Sequence, residues 1–245
     1  MDHYRNTFAE KMQVSEVRKL LAVVPVRSGS KGLPDKNLRQ LAGLPLYQHA
    51  VNQGLRIAGY CVVTTDIKEI LSMPAYECCD VLKRPPGLAM DDTPMELVVH
   101  DLIRQLSLGP EVILLLQATT PLRLDSDIRA VLDLHAAGAH DLVMSVTPTD
   151  SGILKYGLLH GSSFSPVSRP EHCFSNRQSL PPVFRPNGAV YAFTADAFLR
   201  AGGWPSANIG AVEMPIERSN DIDTLDDFEY VVGKWRTFIP GLTPK

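Results

Sequence analysis

Short apolar runs rich in β-branched residues alternate along this chain with segments of helical period, and this alternation constrains the fold more than any other feature. Leu20-Leu21-Ala22-Val23-Val24-Pro25-Val26 is the first run, followed at once by a polar, glycine-containing loop. It reads as a buried strand whose carboxyl end opens a functional loop. Leu46 to Ile57 has apolar residues at helical spacing, and Tyr60 to Thr65 reads as the next strand. Asp66 is placed to cap a helix that Pro74 ends. Val81-Leu82 reads as a short strand and Thr93 to Leu106 as a helix. Glu111 to Leu116 reads as a central strand buried on both faces, followed by a helix over Asp125 to Ala137 and a strand over Asp141 to Val146. Strands alternating with helices predict an α/β fold, a mostly parallel sheet with helices on both faces. Ligands of such sheets bind beyond the carboxyl ends of the strands.

The alternation breaks after Val146. Pro148 to Pro186 is rich in Pro, Ser and Gly, with extended pieces such as Ile153 to Leu159, and suits an insertion, a β-arm or a dimerisation element. Regular structure resumes with a strand at Ala189 to Phe193, a helix from Thr194 and a strand near Val212 to Ile216. The last helix starts at Thr224, with Asp227 as the partner of a capping box. At 245 residues the expectation is an N-terminal extension over 1–19, mobile or loosely helical, and a single domain over 20–245.

Composition narrows the function classes. A hydrophobic fraction of 44% and a net charge of −3 give no electrostatic case for nucleic acid or an anionic membrane as partner. No stretch is long and apolar enough to span a bilayer, and the first nineteen residues lack a signal-peptide core. Cys61, Cys78, Cys79 and Cys173 form no Cys-x-x-Cys pair, which fits a reducing cytoplasm. The seven histidines have no metal-ligand spacing.

Chemistry concentrates where strands end. The first loop reads Arg27-Ser28-Gly29-Ser30-Lys31-Gly32-Leu33-Pro34-Asp35-Lys36-Asn37. Its glycines let backbone approach a ligand, and Arg27, Lys31 and Lys36 supply three cations, as a triphosphate needs. It is neither a Walker A loop nor a dinucleotide fingerprint, and alone it reads equally well as a solvated basic turn. In Asp221-Ile222-Asp223, residues i and i+2 of an extended segment share a face, so two carboxylates meet one spot and suit Mg²⁺. Taken alone, the segment reads first as a helix cap with Asp221 solvated; the presence of a phosphate-type loop in the same chain weakens that reading. Three further segments are polar where strands end: Arg84-Pro85 with Asp91 soon after, Gln117 through Arg123, and Arg185 through Tyr191. Each singly reads as ordinary turn and cap chemistry.

In order, these segments resemble the acylneuraminate cytidylyltransferase family. Its pattern of Ala-Arg-x-x-Ser-Lys-Gly-Leu-Pro-x-Lys-Asn, Ser-Thr-Asp, Arg-Pro, Leu-Gln-Pro-Thr-Ser-Pro-Leu-Arg, Arg-Pro-Asn-Gly-Ala-x-Tyr and Asp-Ile-Asp-Thr is matched here by six segments. They are Val26 to Asn37, Thr64 to Asp66, Arg84-Pro85, Leu116 to Arg123, Arg185 to Tyr191, and Asp221 to Thr224. The resemblance implies a Rossmann-like sheet with a protruding arm, over 147–185, that builds a homodimer. It implies that Arg27, Lys31 and Lys36 hold the CTP phosphates, with Ser30, Asn37 and Arg84 at the nucleotide, and that Asp221 and Asp223 hold Mg²⁺. Gln117, Lys155, Asn187 and Tyr191 line the sugar pocket, and Arg177 and Arg185 bring charge from the arm; Arg27, Lys36 and Asp223 are the candidate catalytic residues.

The implied reaction joins CMP from CTP to a sialic-acid-like nonulosonic acid and releases pyrophosphate. Ala118, Thr120 and Val26 depart from the pattern, the first two on the sugar side. The alternatives are legionaminic or pseudaminic acid as acceptor, GTP as nucleotide, the eight-carbon acid of lipopolysaccharide, and a nucleotide-sugar binding protein without catalysis. The eight-carbon reading ranks lower because its enzymes usually carry Arg-Leu-Pro-Gly-Lys in the loop, where this chain has Lys31 to Lys36.

Overall fold

The computed structural model describes residues 20–73 and 78–239. The elements run β1 (Leu20–Val26), β2 (Gln40–Leu41), β3 (Leu44–Pro45), α1 (Leu46–Ala58), β4 (Cys61–Thr65), α2 (Lys68–Leu71), β5 (Cys79–Lys83), α3 (Met95–Leu106) and β6 (Val112–Leu116). They continue with α4 (Asp125–Ala136), β7 (Leu142–Thr149), β8 (Gly157–His160), β9 (Ser163–Pro166), β10 (Val183–Thr194), α5 (Ala195–Ala201), β11 (Ile209–Glu213) and α6 (Leu225–Phe238).

Seven strands form one sheet in the order β11-β7-β10-β6-β1-β4-β5. All pair in parallel except β10, which runs antiparallel between β6 and β7. This is the mostly parallel α/β sheet that the alternation predicts. The apolar runs explain its centre: β6 is buried at all five positions, as a strand covered on both faces must be. Alternate residues serve opposite faces. Ala22, Val24, Cys61, Val63, Leu114 and Leu116 pack with residues of α1, α2 and α4, whereas Leu21, Val23, Val62, Ile113 and Leu115 pack with α3 and α5. On α1, a Cβ at Gly54 would lie 2.7 Å from that of Ala22, so glycine there lets the helix settle directly on the sheet.

The chain goes from β1 to β4 and β5 on one side, then crosses back to β6 on the other. The strand order therefore reverses direction at β1, and loops after β1 and β6 flank one crevice at the carboxyl edge. A third apolar cluster sits under that crevice. Leu33 of the first loop, Leu122 of the loop after β6, Ile222, and Val231 and Trp235 of α6 are all buried together. Burying a side chain such as Ile222, which is fully inaccessible, contributes about 1.5–3 kcal/mol and fixes the segment that carries it.

Several boundaries differ from expectation. Asp66 caps no helix: α2 starts after Ile67, and the Asp66 carboxylate instead accepts hydrogen bonds from the backbone N–H and hydroxyl of Ser28. A ligand loop that needs anchoring outcompetes a four-residue helix for that carboxylate. β10 is twelve residues long, beginning at Val183, because its outer half pairs with an extension of β7 (Val183 with Thr149, Arg185 with Thr147) and a register shift separates Pro186 from Tyr191. The chain thus leaves the sheet only over 150–182, where it forms the β8–β9 hairpin and three short 3-10 turns; Ile153 to Lys155 lies in one of these. β11 covers Ile209–Glu213, and Ile216 lies in a 3-10 turn. The Thr224–Asp227 capping box is present as expected. The expectations for residues 1–19 and Pro74 lie outside the described residues.

Candidate active site

The loop after β1 is held from below and from both sides. Asn37, buried, donates from Nδ2 to the carbonyl of Arg27 at 2.9 Å. Arg84, also buried, donates to the Thr64 carbonyl at 2.9 Å. Burial lowers the Arg84 guanidinium to about 10, with Asp66 raising it and Arg27 lowering it. Arg84 is therefore braced against the end of β4, within electrostatic reach of Asp66 and Arg27. Arg27 and Lys31 converge on one carboxylate, Asp91, at 2.6 and 2.9 Å. Those cations, Lys31 first, hold the Asp91 carboxyl below its ordinary range. Ser30 stands half-buried between them in sequence, beside Gly29, whose φ of +69° needs glycine. Hollows of about 420 and 460 Å³ flank this loop, one towards Asp66 and α2, the other towards Asp91.

The third loop cation faces elsewhere. Lys36 is buried, and its Nζ donates to the Ile222 carbonyl at 2.5 Å and to Asp223 Oδ1 at 2.9 Å. Gly32 makes the second join: a Cβ there would lie 2.3 Å from the carbonyl oxygen of Asp223. The phosphate-type loop and the acid pair, nearly two hundred residues apart in sequence, are thus in direct contact. Ile222 points inward and donates its N–H to the Thr119 carbonyl at 2.9 Å, so Asp221 and Asp223 face outward together. The surrounding protein pushes the Asp221 carboxyl above its ordinary range; Thr119 opposes this by hydrogen bonding and Asp223 adds to it by repulsion. Asp227 accepts from the N–H groups of Asp223 and Thr224, which locks the acid pair to the start of α6. Two outward carboxylates, one of them ill at ease as an anion, fit a divalent cation that keeps its remaining ligands from water and phosphate. Among the described residues no third acidic, His or Cys ligand joins them.

The sugar-side candidates divide. Gln117 follows β6, and its side chain borders Gly188, with Oε1 3.6 Å from where a Cβ would stand. Burial, and secondarily the nearby Asp221 carboxylate, raises the Tyr191 phenol; its ring packs on Trp204 at 5.6 Å. Asn187 is brought to the same edge but buried, with its amide committed inside the chain. Its Oδ1 accepts from the Ser145 hydroxyl at 2.6 Å and its Nδ2 donates to the Ser219 hydroxyl at 2.9 Å. It builds the register shift of β10. Ala118 and Thr120, the departures from the family pattern, are also buried, so their side chains shape the loop from beneath. Arg185 is exposed on the outer half of β10. Arg177 pairs with Asp150 at 2.8 Å, and Lys155 ends the first 3-10 turn after β7, so within one chain both belong to the arm.

Sequence reasoning gave no site role to Asp66, Asp91, Thr119 or Arg123. The first three act through partners distant in sequence. Arg123 closes the pattern after β6, where composition alone reads it as a surface cation; it is fully buried, and Nη1 donates to the carbonyls of Gln117 and Thr120.

Residues 21–157 match the family model for cytidylyltransferases. The chain belongs to the cytidylyltransferase family. Within it, the chain is 28% identical over 227 residues to an N-acylneuraminate cytidylyltransferase of Streptococcus agalactiae serotype V, covering 88% of this chain and 53% of that one. It thus spans about half the length of that relative. It is 31% identical over 226 residues to a CMP-N,N'-diacetyllegionaminic acid synthase of Legionella pneumophila, covering 86% of this chain and 93% of that one. In fold it resembles a CMP:2-keto-3-deoxy-manno-octonic acid synthetase solved with CTP, with a TM-score of 0.62 at 17% identity over 89% of this chain and 99% of that one.

Proposed function

We propose that this cytidylyltransferase joins CMP from CTP to the anomeric hydroxyl of a sialic-acid-like nonulosonic acid, with release of pyrophosphate. The observation that carries the proposal is the junction of Lys36 with Ile222 and Asp223, which sets a cationic phosphate loop against an acid pair. Such transfer rests on alignment and charge neutralisation more than on covalent help. Arg27 and Lys31 leave Asp91 to meet the leaving phosphates, with Ser30 and Asn37 keeping the loop on the nucleotide. Arg84 acts from beneath, by positioning. Lys36 balances charge developing at the phosphorus while keeping Asp223 in place. Asp221 and Asp223 are the residues that would hold Mg²⁺; bound there, it supplies further charge neutralisation and acidifies the attacking hydroxyl. Gln117 and Tyr191 face the acceptor acid, with Asn187 fixing the strand that carries Tyr191.

The arm fits a homodimer interface. Tyr156, Leu158, Leu159, Phe164, Val167 and Phe174 are all exposed on it, Phe174 to 90%, and a second copy would cover them. In that arrangement Lys155, Arg177 and Arg185 approach the acceptor site across the interface. No described helix is long and apolar enough to cross a membrane, and the four cysteines are free thiols, which fits action in a reducing cytoplasm.

Legionaminic acid is the second reading for the acceptor, supported by the 31% identity to the Legionella enzyme. Pyrophosphate release with CTP and Mg²⁺ against N-acetylneuraminic, legionaminic, pseudaminic and the eight-carbon acid, with GTP as a second nucleotide, tests all of this. Release with CTP and one nine-carbon acid is expected. Release only with the eight-carbon acid, or CTP binding with no release at all, would contradict the proposal.

A further inference from the structure

A cleft of about 230 Å³ opens between α1, the loop after β6 and α6, and the reaction described above makes no use of it. Three of its lining residues, Gln53, Arg123 and Trp235, carry buried side-chain atoms without a hydrogen-bond partner among the described residues: Gln53 Oε1, Arg123 Nε and Nη2, and Trp235 Nε1. Leaving such groups dry and unpaired costs about 1–3 kcal/mol each, so their convergence on one cleft needs a cause.

The donor set has a definite chemistry. Arg123 is fully buried and has no carboxylate ion partner among the described residues. Its Nη1 is taken by backbone carbonyls, which leaves Nε and Nη2, the two N–H groups on one edge of the guanidinium. That edge matches the two oxygens of a carboxylate. Burial pushes the guanidinium down to about 9, although Asp125 and Asp127 act in the opposite direction; a bound anion would relieve it. The other cleft charges cancel, since Arg56 forms a double hydrogen bond with Asp125. Burial keeps His49 below its usual range, and its Nε2 is engaged with the Leu41 carbonyl. The Trp235 ring lies 4.5 Å from that of His49, and Phe238 adds a further apolar wall. Gln53 spends Nε2 on the Arg123 carbonyl, so Oε1 asks for a donor.

We propose that this cleft is a second ligand site, which takes a small carboxylic acid with an apolar body: the carboxylate pairs with the unpaired edge of Arg123 and the Trp235 N–H, and a hydroxyl or amino group of the ligand donates to Gln53 Oε1. The site is connected to the crevice. Arg123 holds the carbonyls of Gln117 and Thr120, and Trp235 belongs to the helix whose first turn locks Asp223. An occupant therefore bears on both halves of the transferase site without entering it.

The probe is anthranilate, which combines a carboxylate, a ring and an amino donor; aniline is the control without the acid. The chain has two tryptophans, so its indole N–H resonances in a ¹⁵N-labelled sample are two and are assigned with Trp235→Phe. Anthranilate is expected to shift the Trp235 resonance saturably, with or without excess CTP, and aniline is expected not to. Arg123→Lys weakens binding about tenfold or more, because a single ammonium replaces the fork. Arg123 also holds the loop after β6, so Gln53→Leu serves as the milder variant: it removes Oε1 and one bond to the Arg123 carbonyl but keeps the bonds of Arg123 to Gln117 and Thr120. It is expected to weaken anthranilate several-fold, read as a smaller thermal shift. A shift that does not saturate, that aniline reproduces, or that CTP abolishes overturns the proposal; the first result would mean that the cleft holds water only.

Discussion

Replacing Lys36 by methionine separates the structural part of the loop junction from its chemical part. Methionine keeps most of the apolar stem, so the change removes the ammonium and its bonds to two acceptors. The bond to the Ile222 carbonyl is charge-assisted and buried, worth about 1.5–3 kcal/mol. The pair with Asp223 is worth about 0–1 kcal/mol, because that carboxylate is 72% exposed and regains water when the lysine leaves. The sum is roughly 1.5–4 kcal/mol, or roughly 3–16 °C in Tm for a chain of this size. Asp223→Asn, which loses only the exposed pair, should cost under about 1 kcal/mol. Thermal unfolding of the two variants side by side is the assay, with turnover measured on the same samples. Turnover should fall in Lys36→Met by about 10²–10³ if the ammonium balances charge at the phosphorus. Equal and small losses of Tm in both variants would refute the reasoning, since the Ile222 bond would then carry nothing.

Other outcomes follow from the same geometry. Gly32→Ala places a methyl into the Asp223 carbonyl and should lower stability by about 1–3 kcal/mol and turnover with it, as read by calorimetry and pyrophosphate release. The carboxyl of Asp221 is raised in the fold, so its contribution favours folding below the ordinary carboxylate range and is lost as pH rises through its raised value. Asp221→Asn should therefore be more thermostable than the parent at neutral pH while binding Mg²⁺ more weakly; a Tm that falls would contradict the assignment. Activity has the opposite limb, falling as pH drops through that value because a protonated Asp221 holds no cation, and a pH profile at low Mg²⁺ checks it. Asn187→Ala should cost about 1–3 kcal/mol through its lost bonds with the Ser145 and Ser219 hydroxyls and the Ala189 N–H; unchanged Tm with a raised KM for the acid would make Asn187 a direct acceptor contact instead. Phe174→Glu should convert a dimer to a monomer in sedimentation if the arm is the interface.

The sheet was legible because each core strand carries its own signal: a continuous apolar run where both faces are covered, as in β1 and β6. The outer half of β10 was not, since Val183 to Pro186 end a proline-rich irregular stretch, and only pairing with β7 across the sheet makes them strand. Within the site, the i, i+2 spacing of Asp221 and Asp223 gave their shared face, and the structure adds why it holds: Ile222 is buried between them. Residues whose role depends on a distant partner stayed silent. Asp66 looked like a cap because a carboxylate before a helix is a local pattern, whereas its bond to Ser28 is set by the parallel pairing of β1 with β4. Arg84 looked like a ligand-facing cation and Arg123 received no role, because nothing local tells a buried arginine from an exposed one.

The central claim is that the Lys36–Asp223 junction is where CTP is cut. The measurement that tests it most directly is pyrophosphate release from CTP, Mg²⁺ and a nine-carbon 2-keto-3-deoxy acid by the parent chain and by Asp223→Ala, with circular dichroism on both. The account predicts release by the parent and none by a folded Asp223→Ala. Turnover by the variant at the parent's rate would contradict it.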